Sequence, residues 1–296
     1  MLISYEKLGS IIRRSLSYKR KTPPLLQKAD PIPGFKMVYF VGEKGLNYLN
    51  SSLLSVYKSF TNLPELIIVS DGTPIAKIAD GMVKWPVKTA IISWEECAEY
   101  FKNKGDILLH QYATDDLWGK KMVAILYCAE KYKILYSDTD VLWFADPTAS
   151  IDFSKQNTMK MCLDESFSYV EEMVAELGCE DIYETMPYNA GIIYANGDFS
   201  SHPKWNNLIG YLSQLKNKSV MKKGWTEQTA FAILNNYFGT YWTKDEMLLE
   251  INDHGNFFNK YKKQYSSMYA RHYVTTKGWL FWRDYFYYFL LPFKNK

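Results

Sequence analysis

The chain has 296 residues, which suits one large α/β domain and exceeds any mini-protein. Hydrophobic residues make up 47% and charged residues 23%, a balance that excludes disorder, collagen and coiled coil. Lys plus Arg is 35 and Asp plus Glu is 32; a net charge of +3 argues against a dedicated nucleic-acid binder.

Residues 1–34 read as a basic N-terminal extension. No acidic residue lies between Glu6 and Asp30, whereas Arg13, Arg14, Lys19, Arg20 and Lys21 cluster. Such an arm is either solvated or a contact for anionic lipid. From Phe35 the pattern becomes regular. MVYFVG (37–42) is a buried strand, LNYLNSSLLSVYKSF (46–60) has helical spacing, and ELIIVSDG (65–72) is a second strand. TDDLWGKKMVAILYCAEKYK (114–133) predicts a helix with Thr114 as its N-cap, and KILYSDTDVLWF (133–144) a third strand. Strands and helices that alternate in this way imply an α/β fold with a mainly parallel central sheet and helices on both faces. Ligands bind such sheets beyond the carboxyl ends of the strands, here after Val41, after Val69 and around Asp138.

The strongest chemical signal is Asp138-Thr139-Asp140. If the strand continues through it, both carboxylates project to one side. Two ionised carboxylates side by side repel unless a cation joins them, and Mg²⁺ or Mn²⁺ suits oxygen ligands beside a phosphate. PYNAGIIYANGD (187–198) sets Asn189 and Gly191 before an apolar run, and Asn offers the paired donor and acceptor that sugar hydroxyls need. GWTEQTAFAILNNYFG (224–239) predicts a helix with Thr226 as N-cap and Glu227 and Gln228 in its first turn. ARHYVTTKGW (270–279) adds His272, which could complete a metal site, and Lys277, which could neutralise a diphosphate. Lys120 and Lys121 stand early in their helix, against its dipole. Either Asp115 and Asp116 compensate them, or one reaches a phosphate or carboxylate near the strand ends.

In this order the segments resemble a GT-A glycosyltransferase, the nucleotide-diphospho-sugar transferase fold, and in particular the retaining galactosyltransferase-like family 8. The resemblance runs over roughly residues 37–279: the opening strand–helix–strand, a basic residue on the helix before ILYSDTDVLWFADP, then YNAG, Glu227-Gln228 and HYVTTKGW. It implies that Asp138, Asp140 and His272 hold Mn²⁺ or Mg²⁺, with Asp138 also at the nucleotide ribose. It implies Lys277 at the diphosphate, Lys121 at sugar or phosphate, and the backbone of Val41 and Gly42 at the uracil. Asp164, Asn189 and Gln228 would line the donor sugar as the catalytic group, with Glu227 beside them. The expected activity is transfer of a sugar from a UDP-hexose to a hydroxyl acceptor, a glycan or glycolipid, with retention. No carboxylate is evident where the β-face of the sugar would meet Gln228, so front-face attack is expected. The sequence departs from the family pattern in Gly42-Glu43-Lys44-Gly45 after the first strand, in Glu227 for Asp, and in a shorter His-to-Lys segment.

Two other classes stay open. A haloacid dehalogenase-type phosphatase also uses D-x-D after an apolar strand, but it places Thr or Val where Leu142 stands. A GT-A module that binds nucleotide or glycan without turnover is the other. Four scattered cysteines (Cys97, Cys128, Cys162, Cys179), no apolar leader run and no spanning segment of about 20 residues predict a cytoplasmic protein. The aromatic and basic tail at 279–296 either packs back as a last helix or lies in a headgroup plane. With the basic arm, the second choice predicts peripheral attachment to the anionic inner face of a membrane.

Overall fold

The computed structural model describes residues 7–11, 30–218, 223–249, 268–274 and 278–290. The basic cluster at 13–21, Lys277 and residues 291–296 lie outside the described residues.

In chain order the elements are β1 (Phe35–Val41), α1 (Leu46–Ser59), β2 (Glu65–Ser70), α2 (Ile75–Gly81) and β3 (Thr89–Ser93). Next come α3 (Trp94–Lys104), α4 (Ile107–Asp115), α5 (Leu117–Lys131), β4 (Lys133–Ser137), β5 (Val141–Trp143) and β6 (Thr158–Leu163). Then follow α6 (Glu171–Leu177), β7 (Tyr188–Asn196), α7 (Trp205–Ser213), α8 (Thr226–Phe238) and β8 (Gly239–Trp242). Last are β9 (Met247–Leu249), β10 (Ala270–His272) and α9 (Gly278–Tyr285).

One sheet has the order β3-β2-β1-β4-β7-β6-β8. Only β7 runs against its neighbours β4 and β6, so the sheet is mainly parallel, as expected. Both faces are covered, which is why its strands read as unbroken apolar runs. Met37, Tyr39 and Val41 of β1 pack with Leu49 and Leu53 of α1. Val38, between them, points the other way, into the core that holds Met122 and Ile125 of α5. A second sheet, β5-β10-β9, sits beside the carboxyl end of β4.

Three local expectations need correction. The helix at 114–133 is two helices, because Asp116 adopts an extended backbone between α4 and α5. Its carboxylate caps α5 by accepting from Trp118 N at 2.8 Å, whereas Thr114 donates to His110 O within α4. The strand at 133–144 is likewise two strands in different sheets, with residues 138–140 turning between them. Finally, Thr226 is the first residue of α8 rather than its cap. Trp225 takes the cap position and makes no side-chain cap bond.

Of the two placements for the aromatic C-terminal stretch, the structure shows a last helix. Leu280, Phe281, Trp282 and Tyr285 are buried with Leu142 and Tyr273, and Tyr48 of α1 meets Phe281 edge-on at 4.9 Å and Trp282 at a tilt at 5.0 Å. Arg283 is held inside the protein. It is fully buried, and its Nε donates to Asp284 Oδ1 at 2.7 Å, while Arg271 Nη1 donates to Asp284 Oδ2 at 2.8 Å. Two guanidiniums on one carboxylate keep these charges paired inside the protein. Among the described residues no helix is long and apolar enough to cross a membrane.

Candidate metal and nucleotide-sugar site

The turn at 138–140 is held from two sides. Asp138 N donates to Gly191 O of β7 at 2.7 Å, and Tyr273 N donates to Asp140 O at 3.0 Å. Because β10 pairs antiparallel with β5, His272 lies opposite Val141 and reaches the turn. Its Nε2 is 3.3 Å from Asp140 Oδ1 and 3.7 Å from Asp138 Oδ2. One ligand atom from each of the three residues lies within 4.8 Å of the others.

The imidazole is oriented from behind. His272 Nδ1 is 3.0 Å from Asn189 Oδ1, and that oxygen also accepts from Gly191 N at 2.8 Å. A backbone N–H can only donate, so Asn189 Oδ1 is an acceptor and His272 Nδ1 carries the proton. The Nε2 lone pair then faces the two carboxylates, which is the arrangement of a metal-ligating histidine with an outer partner. Burial works against an imidazolium, but Asp140 and Asp138 outweigh it and raise the His272 pKa. Two carboxylates and one imidazole around a single point fit a divalent cation of the Mg²⁺ or Mn²⁺ kind.

Gly191 makes room for that histidine. A Cβ there would stand 2.2 Å from His272 Cε1 and 2.4 Å from Nδ1. The ring is buried and tied at both nitrogens, so it has no free direction to yield. Gly191→Ala should therefore displace His272 and weaken Mn²⁺ binding by roughly 10- to 100-fold, the usual loss when a ligand's support goes. Titration calorimetry reads this directly; an unchanged Mn²⁺ affinity would mean that His272 is not a ligand.

Lys121 resolves the puzzle of cations early in α5. Its buried ammonium is 3.0 Å from Asp138 Oδ1, 3.3 Å from Ala190 O and 3.4 Å from Glu227 Oε1. Lys120 instead lies over the Trp94 ring at 4.3 Å. Tyr136 also donates to Asp138 Oδ1. Glu227 is nearly fully buried and its Oε1 makes no hydrogen bond, so Lys121 compensates it only in part. Burial pushes the Glu227 carboxyl up, Lys121 pulls it down, Asp138 adds to the rise, and the result is a pKa of about 7. Raised above the ordinary 4.5, this carboxyl stabilises the fold below that value, and its contribution is lost as pH climbs through 7. Glu227→Gln should match the wild-type Tm near pH 4.5 and gain on it steadily toward pH 8. A difference in Tm that does not change with pH would contradict this.

Beyond the triad lies a second polar group. Asn189 Nδ2 donates to Asp164 Oδ2 and to Gln228 Oε1, both at 3.2 Å. Gln228 Nε2 donates to Asp164 Oδ2 at 3.2 Å and to Ser168 O at 3.1 Å. A carboxylate therefore does lie beside Gln228, contrary to expectation. Asp164 is 4% exposed and also accepts from Glu165 N at 2.7 Å, so it is a tethered acceptor rather than a free nucleophile. His272, Asn189, Gln228 and Asp164 thus form one bonded chain that joins the triad to the end of β6.

The triad opens into a cleft of about 450 Å³ at the carboxyl ends of β1 and β4. Tyr48, Trp118, Tyr136 and Tyr273 line it together with Lys44, Lys121, Asp138 and Asp140. Val41 is buried at its edge, and Gly42 abuts Asp71, whose carboxylate would stand 1.9 Å from any Cβ there. The structure so brings together Lys121, Asp138, Asp140, Asp164, Asn189, Glu227, Gln228 and His272. Val41 and Gly42 are not among the residues that line the cleft, though their neighbours Phe40 and Lys44 are, and Lys277 lies outside the described residues. The cleft aromatics went unnoticed in the sequence. Tyr136 could have been found, since it stands two residues before Asp138 along the chain, and Trp118 shares a helical face with Lys121. Tyr48 and Tyr273 carry no such signal.

Neither a protein-family model nor a curated protein sequence matches this chain. Among solved structures, mouse xyloside xylosyltransferase 1 is similar at 13% identity over 83% of this chain and 98% of that one, with a TM-score of 0.51. The bifunctional glycosyltransferase WbbM is similar at 14% identity over 85% of this chain and 46% of that one, with a TM-score of 0.50. The galactosyltransferase LgtC, solved with donor and acceptor sugar analogues, has 17% identity over 81% and 87%, with a TM-score of 0.46. At such identities the likeness is one of fold. The mixed, mainly parallel sheet with helices on both faces and an Asp-x-Asp turn at the end of β4 is the GT-A glycosyltransferase fold.

Proposed function

We propose that this chain is a metal-dependent glycosyltransferase that moves a hexose from a UDP-hexose to a hydroxyl acceptor, with retention. The observation that carries it is the meeting of Asp138, Asp140 and His272 at the mouth of an aromatic cleft, backed by the Asn189–Gln228–Asp164 chain. A bound Mn²⁺ or Mg²⁺ would supply positive charge for the diphosphate oxygens. Lys121 pairs with Asp138 at 3.0 Å and holds it in place, and Asn189 keeps the His272 proton on Nδ1. The cleft aromatics offer faces to the nucleotide, and the polar chain offers donors and acceptors to the sugar. With Asp164 tethered, the acceptor oxygen bonds to the anomeric carbon on the face that UDP leaves, and its proton passes to the departing phosphate oxygen.

A thermal-shift panel of nucleotide-sugars with and without Mn²⁺ tests this. A ligand at 100 times its Kd stabilises by about 2.7 kcal/mol, so a UDP-hexose should raise Tm in the presence of Mn²⁺. Release of phosphate from phosphomonoesters, without stabilisation by any nucleotide-sugar, would instead identify a phosphatase. Metal-dependent UDP binding without turnover against an acceptor panel would identify a binding module.

A further inference from the structure

The segment between β6 and β7 carries an exposed aromatic ledge. Phe167, Tyr183 and Met186 are 39%, 36% and 45% exposed, and the Phe167 and Tyr183 rings meet edge-on at 5.4 Å. Beneath them Tyr169 is buried, 5.7 Å from Phe167 and 5.9 Å from Tyr183, and its hydroxyl accepts from Tyr188 N at 2.7 Å. The ledge is therefore a fixed surface rather than loose side chains. Large apolar groups held in water in this way mark a surface that something covers.

What covers it follows from where it lies. Phe167 stands between Asp164 and Ser168, and Gln228 Nε2 bonds to both, at 3.2 and 3.1 Å. On the other strand Met186 precedes Pro187, whose carbonyl accepts from Asp164 N at 2.7 Å. The ledge thus begins where the Asn189–Gln228–Asp164 chain ends. Its charge narrows the partner further. From residue 161 to residue 203 the sequence has no Lys or Arg, and Lys204 and Lys218, which reach this segment, are engaged with the Leu177 and Gly178 carbonyls and with Glu176. Glu171 and Glu172 open α6 just after Tyr169, Glu180 shares a short helical turn with Tyr183, and all three are exposed. After burial, their carboxylates push the Tyr183 hydroxyl up. Flat aromatic faces meet the C–H face of a pyranose, and carboxylates accept from its hydroxyls but repel phosphate and sialic acid.

Resting on the glycosyltransferase activity proposed for the adjoining site, we propose that the Phe167–Tyr183 ledge is the acceptor subsite, where a pyranose of a neutral glycan stacks with a hydroxyl toward Asp164 and Gln228. The test is a glycan array of neutral, sialylated and phosphorylated glycans, probed with the full chain in UDP and Mn²⁺. Wild type should retain neutral glycans only. The double variant Phe167→Ala, Tyr183→Ala should bind them at least about tenfold more weakly, whereas Tyr183→Phe, which keeps the ring, should bind as wild type. Both rings pack on Tyr169 and are 39% and 36% exposed, so Tm should fall by a few degrees in the double variant and hold in Tyr183→Phe, whereas Mn²⁺-dependent UDP affinity should stay within error in each. Neutral-glycan binding that survives the double variant, a preference for anionic glycans, or no glycan retained by wild type would overturn the proposal. Neutral-glycan binding lost in the double variant but with no UDP binding in wild type would uphold the ledge as a glycan site and overturn the transferase activity instead.

Discussion

Asp140→Ala should abolish Mn²⁺-dependent UDP binding and leave the fold intact. The side chain contributes one of three ligand atoms and is partly exposed at a turn. What Asp140 gives to the fold is its backbone carbonyl, which accepts from Tyr273 N at 3.0 Å and is kept by alanine. Removing the carboxylate ends its repulsion with Asp138 but also its attraction for the buried His272, so the metal-free variant should melt close to wild type. The loss in Mn²⁺ affinity should exceed the roughly 10- to 100-fold that follows from disturbing an outer partner. Titration of UDP in Mn²⁺ reads the consequence, and a UDP affinity equal to wild type would remove the metal assignment. His272→Ala is a weaker test, because it also frees Asn189 and opens space beside Gly191.

Much of this site could be read in the sequence, for a reason visible in the fold. The carboxylate pair, Asn189, Glu227 and Gln228 each stand at an element boundary beside a strong apolar pattern, so the pattern locates them. Their meeting could not be derived from spacing alone. His272 reaches Asp140 through the pairing of β10 with β5, a contact between strands of three residues each, too short to announce themselves. The break between α4 and α5 was hidden because 107–131 keeps apolar spacing across Asp116, and only the extended backbone there reveals it. The Asp-x-Asp segment reads as strand because apolar residues flank it on both sides. The chain needs a turn there to pass from one sheet to the other. Arg283 misled in a different way. A basic residue among aromatic rings suggests a headgroup, and only its burial, with its neighbour Asp284 shared by the distant Arg271, shows that it is core.

Gln228→Ala should lower kcat for sugar transfer by roughly a hundredfold while shifting UDP affinity by less than about twofold. The distinction follows from the hydrogen bonds. Gln228 touches Asp164, Asn189, Ala190 and Ser168, and none of the three residues that could hold the metal. Gln228 is half-buried and is not among the residues that line the nucleotide cleft. Groups placed to meet charge that develops in the transition state lower kcat when lost, whereas groups that hold the nucleotide raise Kd. The variant leaves the surroundings supported. Asp164 keeps Asn189 Nδ2 and Glu165 N, and Asn189 keeps His272 and Gly191. The Mn²⁺ triad should accordingly stay in place, and Tm should fall by only the few degrees expected for a partly buried amide. Steady-state rates with a UDP-hexose donor, set beside calorimetric titration of UDP, separate the two effects. An equal loss in both would mean that Gln228 only holds the start of α8, and a kcat unchanged from wild type would remove it from the donor-sugar site altogether.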